Sequence, residues 1–271
     1  MKIRLMPRLA IALAALAGAV SNGADQLPGP VLRPEARTDR NSQLAHEQLL
    51  AKAKQGRIDV YFVGDSITRR WGATDVQYRP LLQNWNNNFF GWNAANFGWG
   101  ADKIENILWR LENGELDGVN PKIIVILAGI NNVGRDPGAP EKASLIAEGI
   151  KSIVQVCRKK APAAVIVLTA MLPRNDNLAV VPVIDEVNRR IAKLADGKTI
   201  RFVNINGRIA DAAGKFLEGM VNPDQLHPTV ETYQIWADAL KPIFGEILGP
   251  RAATDSAPPP TGDPSAEIRK Q

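Results

Sequence analysis

A serine, a histidine and an aspartate in this chain are of the types and spacing that nucleophilic catalysis requires. Ser66 follows the apolar run Val-Tyr-Phe-Val, at a Gly-Asp-Ser turn. A serine hydroxyl is a weak nucleophile near neutral pH and needs a neighbouring base. Of the two histidines in the chain, His46 lies in a helix-like stretch before this run, whereas His227 follows Asp224 by three residues. A carboxylate at that spacing in a tight loop can orient the imidazole, so we predict a triad of Ser66, His227 and Asp224.

Hydrogen-bond donors for an oxyanion are the second requirement of acyl transfer. The chain offers three at the ends of successive predicted strands: the backbone N–H groups of Ser66 and Gly98, and the side-chain amide of Asn131. Taken singly, Gly98 could serve only a positive-φ turn, and Asn131 could be only a turn or cap residue. Together with the triad they supply every part of an acyl-transfer site, which favours catalysis. We assign Asp65 to capping the helix that begins at Ser66.

Three further residues are candidates for the substrate pocket. Trp71 follows the nucleophile turn and Trp99 directly follows Gly98, so either ring could flank the pocket mouth and stack on a sugar. Core packing is the alternative for each tryptophan, and the sequence leaves the two readings open. Asn132, beside Asn131, is the third candidate.

Short apolar runs that alternate with amphipathic helical patterns must position these residues. Runs that are apolar on both faces and separated by helices predict a parallel sheet covered on both sides. In such sheets ligands bind at the carboxyl ends of the strands, where the candidate residues fall. Asp102 and Glu105 have the spacing of a capping box at the start of one helix. Strands are predicted over 58–63, 93–97, 123–128, 165–170 and 200–205.

Two look-alike motifs that belong to other folds fail on particular residues. Gly98-Trp99-Gly100 follows a strand, as in a dinucleotide fingerprint. Lys103, however, holds the third-glycine position, and the motif follows the second strand instead of the first. Thr68 stands where the nucleophile elbow G-x-S-x-G requires its last glycine. We therefore predict a serine hydrolase outside the α/β-hydrolase fold.

Composition limits the cofactors and partners. With two histidines and one cysteine, Cys157, the chain can form neither an intrachain disulfide nor a zinc-type ligand cluster. An oxygen-ligand metal site stays open, but our prediction is no metal and no cofactor. The formal net charge of +5 falls to +2 when Lys2, Arg4 and Arg8 are removed with the N-terminal segment, so we expect no nucleic-acid partner.

The two ends of the 271-residue chain differ in composition from its middle. Residues 1–24 combine a basic start, an Ala/Leu-rich run and small-residue cleavage sites, which predicts a signal peptide and a secreted or periplasmic protein. An uncleaved anchor helix is the alternative, but the apolar run is short for one, and we expect no stable membrane anchor. Residues 25–57 are predicted as a lead-in and N-terminal helix, 58–248 as one folded domain, and 251–271 as a disordered tail.

The four loops that carry these residues resemble those of the SGNH (GDSL-type) hydrolases. The matches are Ser66 in "GDSI", Gly98 in "NFG", Asn131 in "GINN" and His227 in "DQLH". Many members carry an aspartate where this chain has Asn132. The catalytic subunits of platelet-activating-factor acetylhydrolase also carry an Asn pair there, and the stretch from "NFGWGADK" to "AGINN" looks like that branch. The resemblance implies a flavodoxin-like three-layer α/β/α sandwich with a five-stranded parallel sheet, and hydrolysis of short-chain, often acetyl, esters.

The expected substrate is a small-molecule or glycan ester. A signal peptide is at odds with an intracellular phospholipid enzyme, and secreted relatives are commonly carbohydrate acetylesterases. We therefore expect a secreted acetylesterase that acts on a carbohydrate. A lysophospholipase or thioesterase of the same fold is one alternative. An inactive glycan-binding module is another, although such a module has no need of a complete triad. The oligomeric state is left open.

Overall fold

A five-stranded parallel sheet forms the centre of the computed structural model, which describes residues 32–268. Its strand order is β2-β1-β3-β4-β5, and all four pairings are parallel. The flavodoxin-like sheet predicted from the sequence is confirmed, and all five predicted strands are present. The strands are β1 Val60–Gly64, β2 Ala94–Asn96, β3 Ile123–Leu127, β4 Val165–Thr169 and β5 Ile200–Val203.

Helices cover the sheet as the outer layers of an α/β/α sandwich. Helix α6 contacts α4 and α7, while α3 contacts α9. Short 3₁₀ turns occur at Val76–Tyr78 and Leu178–Val180, and α4 continues into a π turn at Leu111–Glu115. The helices are α1 Arg40–Ala53, α2 Ser66–Trp71, α3 Arg79–Phe89, α4 Ile104–Arg110, α5 Ile130–Val133, α6 Lys142–Lys160, α7 Val181–Ala192, α8 Asn206–Ile209, α9 Val230–Leu248 and α10 Pro264–Ile268.

The strand order places a switch point beside β1. The chain adds β2 on one side of β1 and β3 on the other, so the loops after β1 and β3 diverge and leave a crevice between them. Strands β1 and β3 are buried along their whole length, which is why both are unbroken apolar runs in the sequence. The crevice therefore stands on two fully buried strands of the sheet.

An aromatic cluster joins β1 to α3 and α9. The ring of Phe62 contacts those of Trp71, Trp85 and Phe244 at centroid separations of 6.0, 4.8 and 6.1 Å. Trp71 is fully buried, and its indole N–H donates to Asn84 Oδ1 at 2.9 Å. The prediction that Trp71 flanks the substrate pocket is wrong, because the ring completes the core beneath the nucleophile helix.

The start of α4 also differs from the predicted capping box of Asp102 and Glu105. Lys103 is the N-cap, and its backbone N–H donates to the Asn106 side chain at 2.9 Å. Asp102 is instead fully buried, and its carboxylate accepts from Arg110 at 2.7 Å. The capping-box spacing therefore predicted the helix start within one residue. It did not identify Asn106 as the acceptor, because the buried Arg110 binds the carboxylate of Asp102.

The C-terminal segment differs from the disordered tail predicted for 251–271. Ala252 N–H donates to Gly91 O at 3.0 Å, and Ser256 O accepts from Arg57 N–H at 2.8 Å. Helix α10 then lies against α1. Composition misled the prediction because this segment is held largely by hydrogen bonds to distant loops, which its own residue types do not indicate.

The signal peptide predicted for residues 1–24 lies outside the described residues. Across the described part of the chain, no helix is both long and apolar enough to span a bilayer. Cys157 is buried in α6 as a free thiol.

Candidate active site

Ser66 is the first residue of α2, directly after the turn that ends β1. Its Oγ lies 2.8 Å from His227 Nε2, across 161 positions of sequence. Asp65 is the N-cap of the helix, and its Oδ1 accepts from the Ile67 N–H at 2.9 Å. The capping role predicted for Asp65 is therefore confirmed. Because β1 ends at Gly64, the serine hydroxyl lies at the carboxyl edge of the sheet.

Asp224 and His227 lie in the loop that precedes α9. Asp224 Oδ2 is 2.7 Å from His227 Nδ1, and its Oδ1 accepts from the backbone N–H groups of Leu226 at 3.1 Å and His227 at 2.9 Å. With Nδ1–H donated to the carboxylate, the lone pair of Nε2 faces the serine hydroxyl. The structure thus brings the three predicted triad residues into one hydrogen-bonded chain.

The electrostatics of this pair suit a neutral base beside a charged carboxylate. Partial burial raises the pKa of Asp224, but backbone hydrogen bonds from His227 and Leu226 and the His227 ring outweigh it and lower that pKa to about 2. Burial, followed by the nearby positive charge of Arg70, lowers the pKa of His227 below its ordinary value, although Asp224 opposes both effects. The imidazole is therefore neutral at physiological pH and able to accept a proton.

Arg70 is a site neighbour that sequence reasoning missed. Its guanidinium donates to Asp224 Oδ2 at 3.2 Å and lies 5.2 Å from the centre of the Tyr78 ring. Two adjacent arginines at a helix start usually belong to a solvated face, so no local signal marked this one. Arg69 pairs with Asp75 instead, at 3.0 Å.

Gly98 is required by the close approach of two loops and not by a positive φ. A Cβ at this position would lie 2.5 Å from Arg69 N and 2.9 Å from Asp65 O, both backbone atoms of the nucleophile turn. The alternative of a positive-φ turn does not apply, because Gly98 is absent from the described residues with φ above zero. Its N–H donates to Asn96 Oδ1 at 2.9 Å, so its use as an oxyanion donor stays a prediction.

Asn131 stands at the start of α5, after β3. One hydrogen of its amide is donated to Asp102 O at 2.8 Å, which leaves the second hydrogen for a ligand. The backbone N–H of Ser66, at the first position of a helix, has no acceptor among the described residues. Both groups are thus placed as donors, and a hydrogen bond joins the Asn131 side chain to the loop that follows Gly98.

Asn132 binds the start of α4. Its Oδ1 accepts from the Ile104 N–H at 2.9 Å, and its Nδ2 donates one hydrogen to Glu105 at 2.7 Å. Both polar ends of the side chain therefore bind the first turn of α4, where a helix leaves backbone N–H groups without an intrahelical acceptor. The pocket role predicted for Asn132 stays a prediction.

Trp99 faces α1 instead of the nucleophile. It is 7% exposed, and its indole N–H donates to Ser42 Oγ at 2.8 Å. The ring borders a cavity of about 240 Å³ between α1 and α4 whose lining includes His46 and Trp109 but not Ser66. The structure therefore does not place the Trp99 ring beside Ser66, where it was predicted to stack on a sugar. His46 has its Nδ1 2.8 Å from Glu115, the carboxylate that also pairs with Arg110, and is not hydrogen-bonded to Ser66 in the described part of the chain.

Two buried polar residues that the sequence reasoning passed over hold the catalytic loops together. Asn96 Nδ2 donates to Thr68 O at 2.6 Å, which ties the end of β2 to α2. Tyr233 OH donates to Ile67 O at 2.6 Å, which ties α9 to α2. The position of Asn96 at the end of an apolar strand was a signal that could have identified it. No local pattern in the sequence marked Tyr233.

Comparisons with known proteins agree with this architecture. Residues 62–235 match the GDSL-like Lipase/Acylhydrolase family. The chain is similar to platelet-activating factor acetylhydrolase IB subunit alpha1 of Bos taurus, with 30% identity over 81% of this chain and 89% of that protein.

Solved structures with the same fold extend the comparison. A GDSL-like lipase from Bacteroides thetaiotaomicron has a TM-score of 0.59 at 20% identity, covering 76% of this chain and 100% of that chain. A mutant of Axe2, an acetyl-xylooligosaccharide esterase from Geobacillus, has a TM-score of 0.54 at 19% identity, covering 72% of this chain and 96% of that chain. At these identities the two structures show the shared fold.

Proposed function

Because the chain belongs to the GDSL-like lipase/acylhydrolase family, we propose that it is a secreted serine esterase that removes acetyl groups from carbohydrate esters. Ester hydrolysis is the chemistry of the family. We propose in addition the triad of Ser66, His227 and Asp224, the preference for acetyl groups, the carbohydrate substrate and the secretion.

The single observation that carries the proposal is the hydrogen-bonded chain from Asp224 through His227 to Ser66, with steps of 2.7 and 2.8 Å. In the first half-reaction, Ser66 Oγ attacks the ester carbonyl carbon and its proton passes to His227 Nε2. The bond to the alcohol then breaks, and the imidazolium returns the proton to the leaving oxygen. In the second half-reaction, a water attacks the acyl-serine and gives its proton to the same nitrogen. The bond between the acyl carbon and Ser66 Oγ then breaks, the imidazolium returns the proton to Oγ, and the carboxylic acid is released.

The oxyanion of each tetrahedral intermediate needs donors that are aimed before the reaction begins. We assign this role to the Ser66 N–H and the free amide hydrogen of Asn131, with Gly98 N–H as the third donor once its bond to Asn96 loosens. Asp224 holds the imidazole in the tautomer that accepts from serine.

The names of two similar proteins support an acetylated carbohydrate as the proposed substrate. The name of the bovine relative specifies an acetyl group. The name of the Geobacillus protein specifies an acetylated oligosaccharide, and its fold is that of this chain. The basic and apolar segment at residues 1–24 supports export, after which a phospholipid inside the cell is out of reach.

Hydrolysis of graded esters tests the proposal. Purified protein that lacks residues 1–24 is assayed on p-nitrophenyl acetate, butyrate and octanoate, then on acetylated xylo-oligosaccharides and on platelet-activating factor. We expect kcat/KM to fall with acyl length and to be higher for the sugar than for the phospholipid. Ser66→Ala is the control and should abolish turnover and labelling by a fluorophosphonate.

Two other results would replace the proposal. Preference for octanoyl esters would favour the lysophospholipase or thioesterase alternative. Glycan binding with no turnover of any ester would favour the binding module. Export is tested separately by expressing the full chain and locating the cleaved protein outside the cytoplasm.

A further inference from the structure

Arg110, at the end of α4, is one of the most deeply buried cations in the described part of the chain, at 3% exposure. Its guanidinium lies between two fully buried carboxylates. Nε donates to Asp102 Oδ2 at 2.7 Å, and Nη1 forms an ion pair with Glu115. Burying a charge is costly unless it is paired and hydrogen-bonded, and this one is both.

The same guanidinium reaches the backbone of two catalytic loops. Nη1 donates to Phe97 O at 3.1 Å, the residue before Gly98. Nη2 lies 3.5 Å from Gly64 O, two residues before Ser66, and that oxygen also accepts from the Trp99 N–H at 3.1 Å. One planar group thus contacts the ends of both β1 and β2.

The third loop is reached through Asp102. The carboxylate of Asp102 is held by Arg110, and its carbonyl oxygen accepts the Asn131 amide at 2.8 Å. Rotation of the Asp102 residue would therefore change the direction of the remaining Asn131 N–H. Arg37 also approaches this carboxylate, at 3.5 Å, but is partly exposed.

We propose that Arg110 is a positioning residue for the oxyanion hole: it sets the geometry of the Ser66, Gly98 and Asn131 donors without touching the substrate. The inference rests on the proposed ester hydrolysis. An arginine is needed because its rigid fork supplies several donors in one plane, to two carboxylates and a backbone carbonyl at once. Lysine has its three donors on one nitrogen and cannot span these partners.

Arg110→Lys is the first test. We expect kcat on p-nitrophenyl acetate to fall about 10- to 100-fold, because small displacements of catalytic groups cost this much. KM should stay near the wild-type value, because the lost interaction strengthens only in the transition state. In an Asn131→Ala background the same substitution should cost less, because one of the three donors that Arg110 positions is already gone.

Phe244→Leu is the matched control for stability. Phe244 is fully buried in the aromatic cluster, where its ring contacts those of Phe62, Phe89 and Trp92. It should lower the melting temperature and leave kcat within about twofold of wild type, as expected for distant independent sites. An Arg110→Lys protein that loses stability but keeps kcat, or that loses kcat equally in both backgrounds, would overturn the inference.

Amide hydrogen exchange gives a readout that does not depend on catalysis. Exchange within residues 97–103 should be faster in Arg110→Lys than in wild type and unchanged in Phe244→Leu. If Arg110→Lys does not fold, Arg110→Met combined with Glu115→Gln removes the cation together with one anion and should show the same exchange and kinetics. Unchanged exchange in a folded variant contradicts the inference. Wild-type protein that cleaves no ester contradicts the proposed function, while exchange still tests the role of Arg110.

Discussion

The charge of one imidazole controls the chemistry proposed for this site. His227 can accept the Ser66 proton only when neutral, and its Nε2 already lies 2.8 Å from the hydroxyl. Burial and then Arg70 lower the pKa of His227, while Asp224 raises it, and the net direction is down. Protonation of the ring is thus expected at a lower pH than for an ordinary histidine.

The acid limb of the pH–rate profile should therefore lie below the ordinary histidine pKa of about 6.5. Arg70→Gln removes a cation that lowers the pKa of His227, so the limb should move to higher pH. The measurement is kcat/KM on p-nitrophenyl acetate between pH 4 and 9. Arg69→Gln is the matched control, because Arg69 pairs with Asp75 and should leave the limb in place. A limb that moves equally in both variants would contradict the assignment.

Asn131→Ala should lower kcat about 100- to 1000-fold with KM nearly unchanged, because negative charge develops on the ester oxygen only in the transition state. Asn132→Ala is the adjacent control. Its side chain caps α4, so it should cost about 1 kcal/mol of unfolding free energy and little of kcat. Steady-state kinetics and urea unfolding measure the two effects. Near-normal kcat in a folded Asn131→Ala protein would remove this residue from the oxyanion hole.

At the scale of elements, the nucleophile turn and the β2 loop are in backbone contact. Their approach leaves no room for a side chain at Gly98, and Asn96 and Arg110 bind the same two segments from below. The proposed oxyanion donors of Ser66 and Gly98 are therefore positioned by the contact between two strand ends. Adding a single methyl group at Gly98 tests this.

Gly98→Ala should destabilise the protein by about 1–3 kcal/mol, the usual cost of overpacking, because the atoms that the new Cβ meets are backbone and cannot move aside. It should also lower kcat, since the turn that carries Ser66 must shift. Gly100→Ala, two residues on, is the control. A Cβ there meets nothing within 4 Å and no positive φ is required, so stability and kcat should be unchanged or slightly raised. Thermal unfolding and kcat of both variants decide the matter.

At the scale of the whole molecule, the chain after α9 returns along the edge of the sheet. Gly91 lies just before β2, the edge strand, and its N–H donates to Asp255 at 2.6 Å. Arg251 donates to Asn87 O at 2.6 Å, and Thr261 O accepts from Thr74 N–H at 3.2 Å. The segment thereby connects α1, α3 and the loop after α2.

Truncation after residue 250 should lower the free energy of unfolding by about 2 kcal/mol or more, at roughly 1 kcal/mol net per lost hydrogen bond. At a temperature where the truncated protein is folded, kcat should stay close to that of the full chain, because the triad contacts lie elsewhere. Asp255→Ala, which removes one bond, should show a smaller fraction of the same loss. Urea unfolding curves of the three proteins test this. Equal stability of full and truncated chains would support the tail as first predicted from composition.

The amino-acid sequence by itself was enough to predict the sheet and to propose Ser66 as the nucleophile and His227 as the base. Buried parallel strands are recognisable because they are apolar on both faces, and the energy of burial depends on residue type more than on particular partners. The four loops were identified because a strand that stops at a Gly-Asp-Ser turn, and a histidine with an aspartate three residues earlier, are local patterns. In the structure these patterns lie together at one edge of the sheet.

Only the tertiary structure decided which way side chains point and what they meet. Trp71 and Trp99 are both tryptophans that follow a candidate catalytic turn. Trp71 nevertheless lies in the core, whereas Trp99 faces α1. Asn131 and Asn132 are neighbours, yet Asn131 donates to the backbone of the loop after Gly98, whereas both polar ends of Asn132 bind the first turn of α4. Arg110 and the C-terminal segment bind groups that are close in space but far apart in sequence. The physical reason is that a hydrogen bond depends on the position of both partners, and local sequence specifies at most one of them.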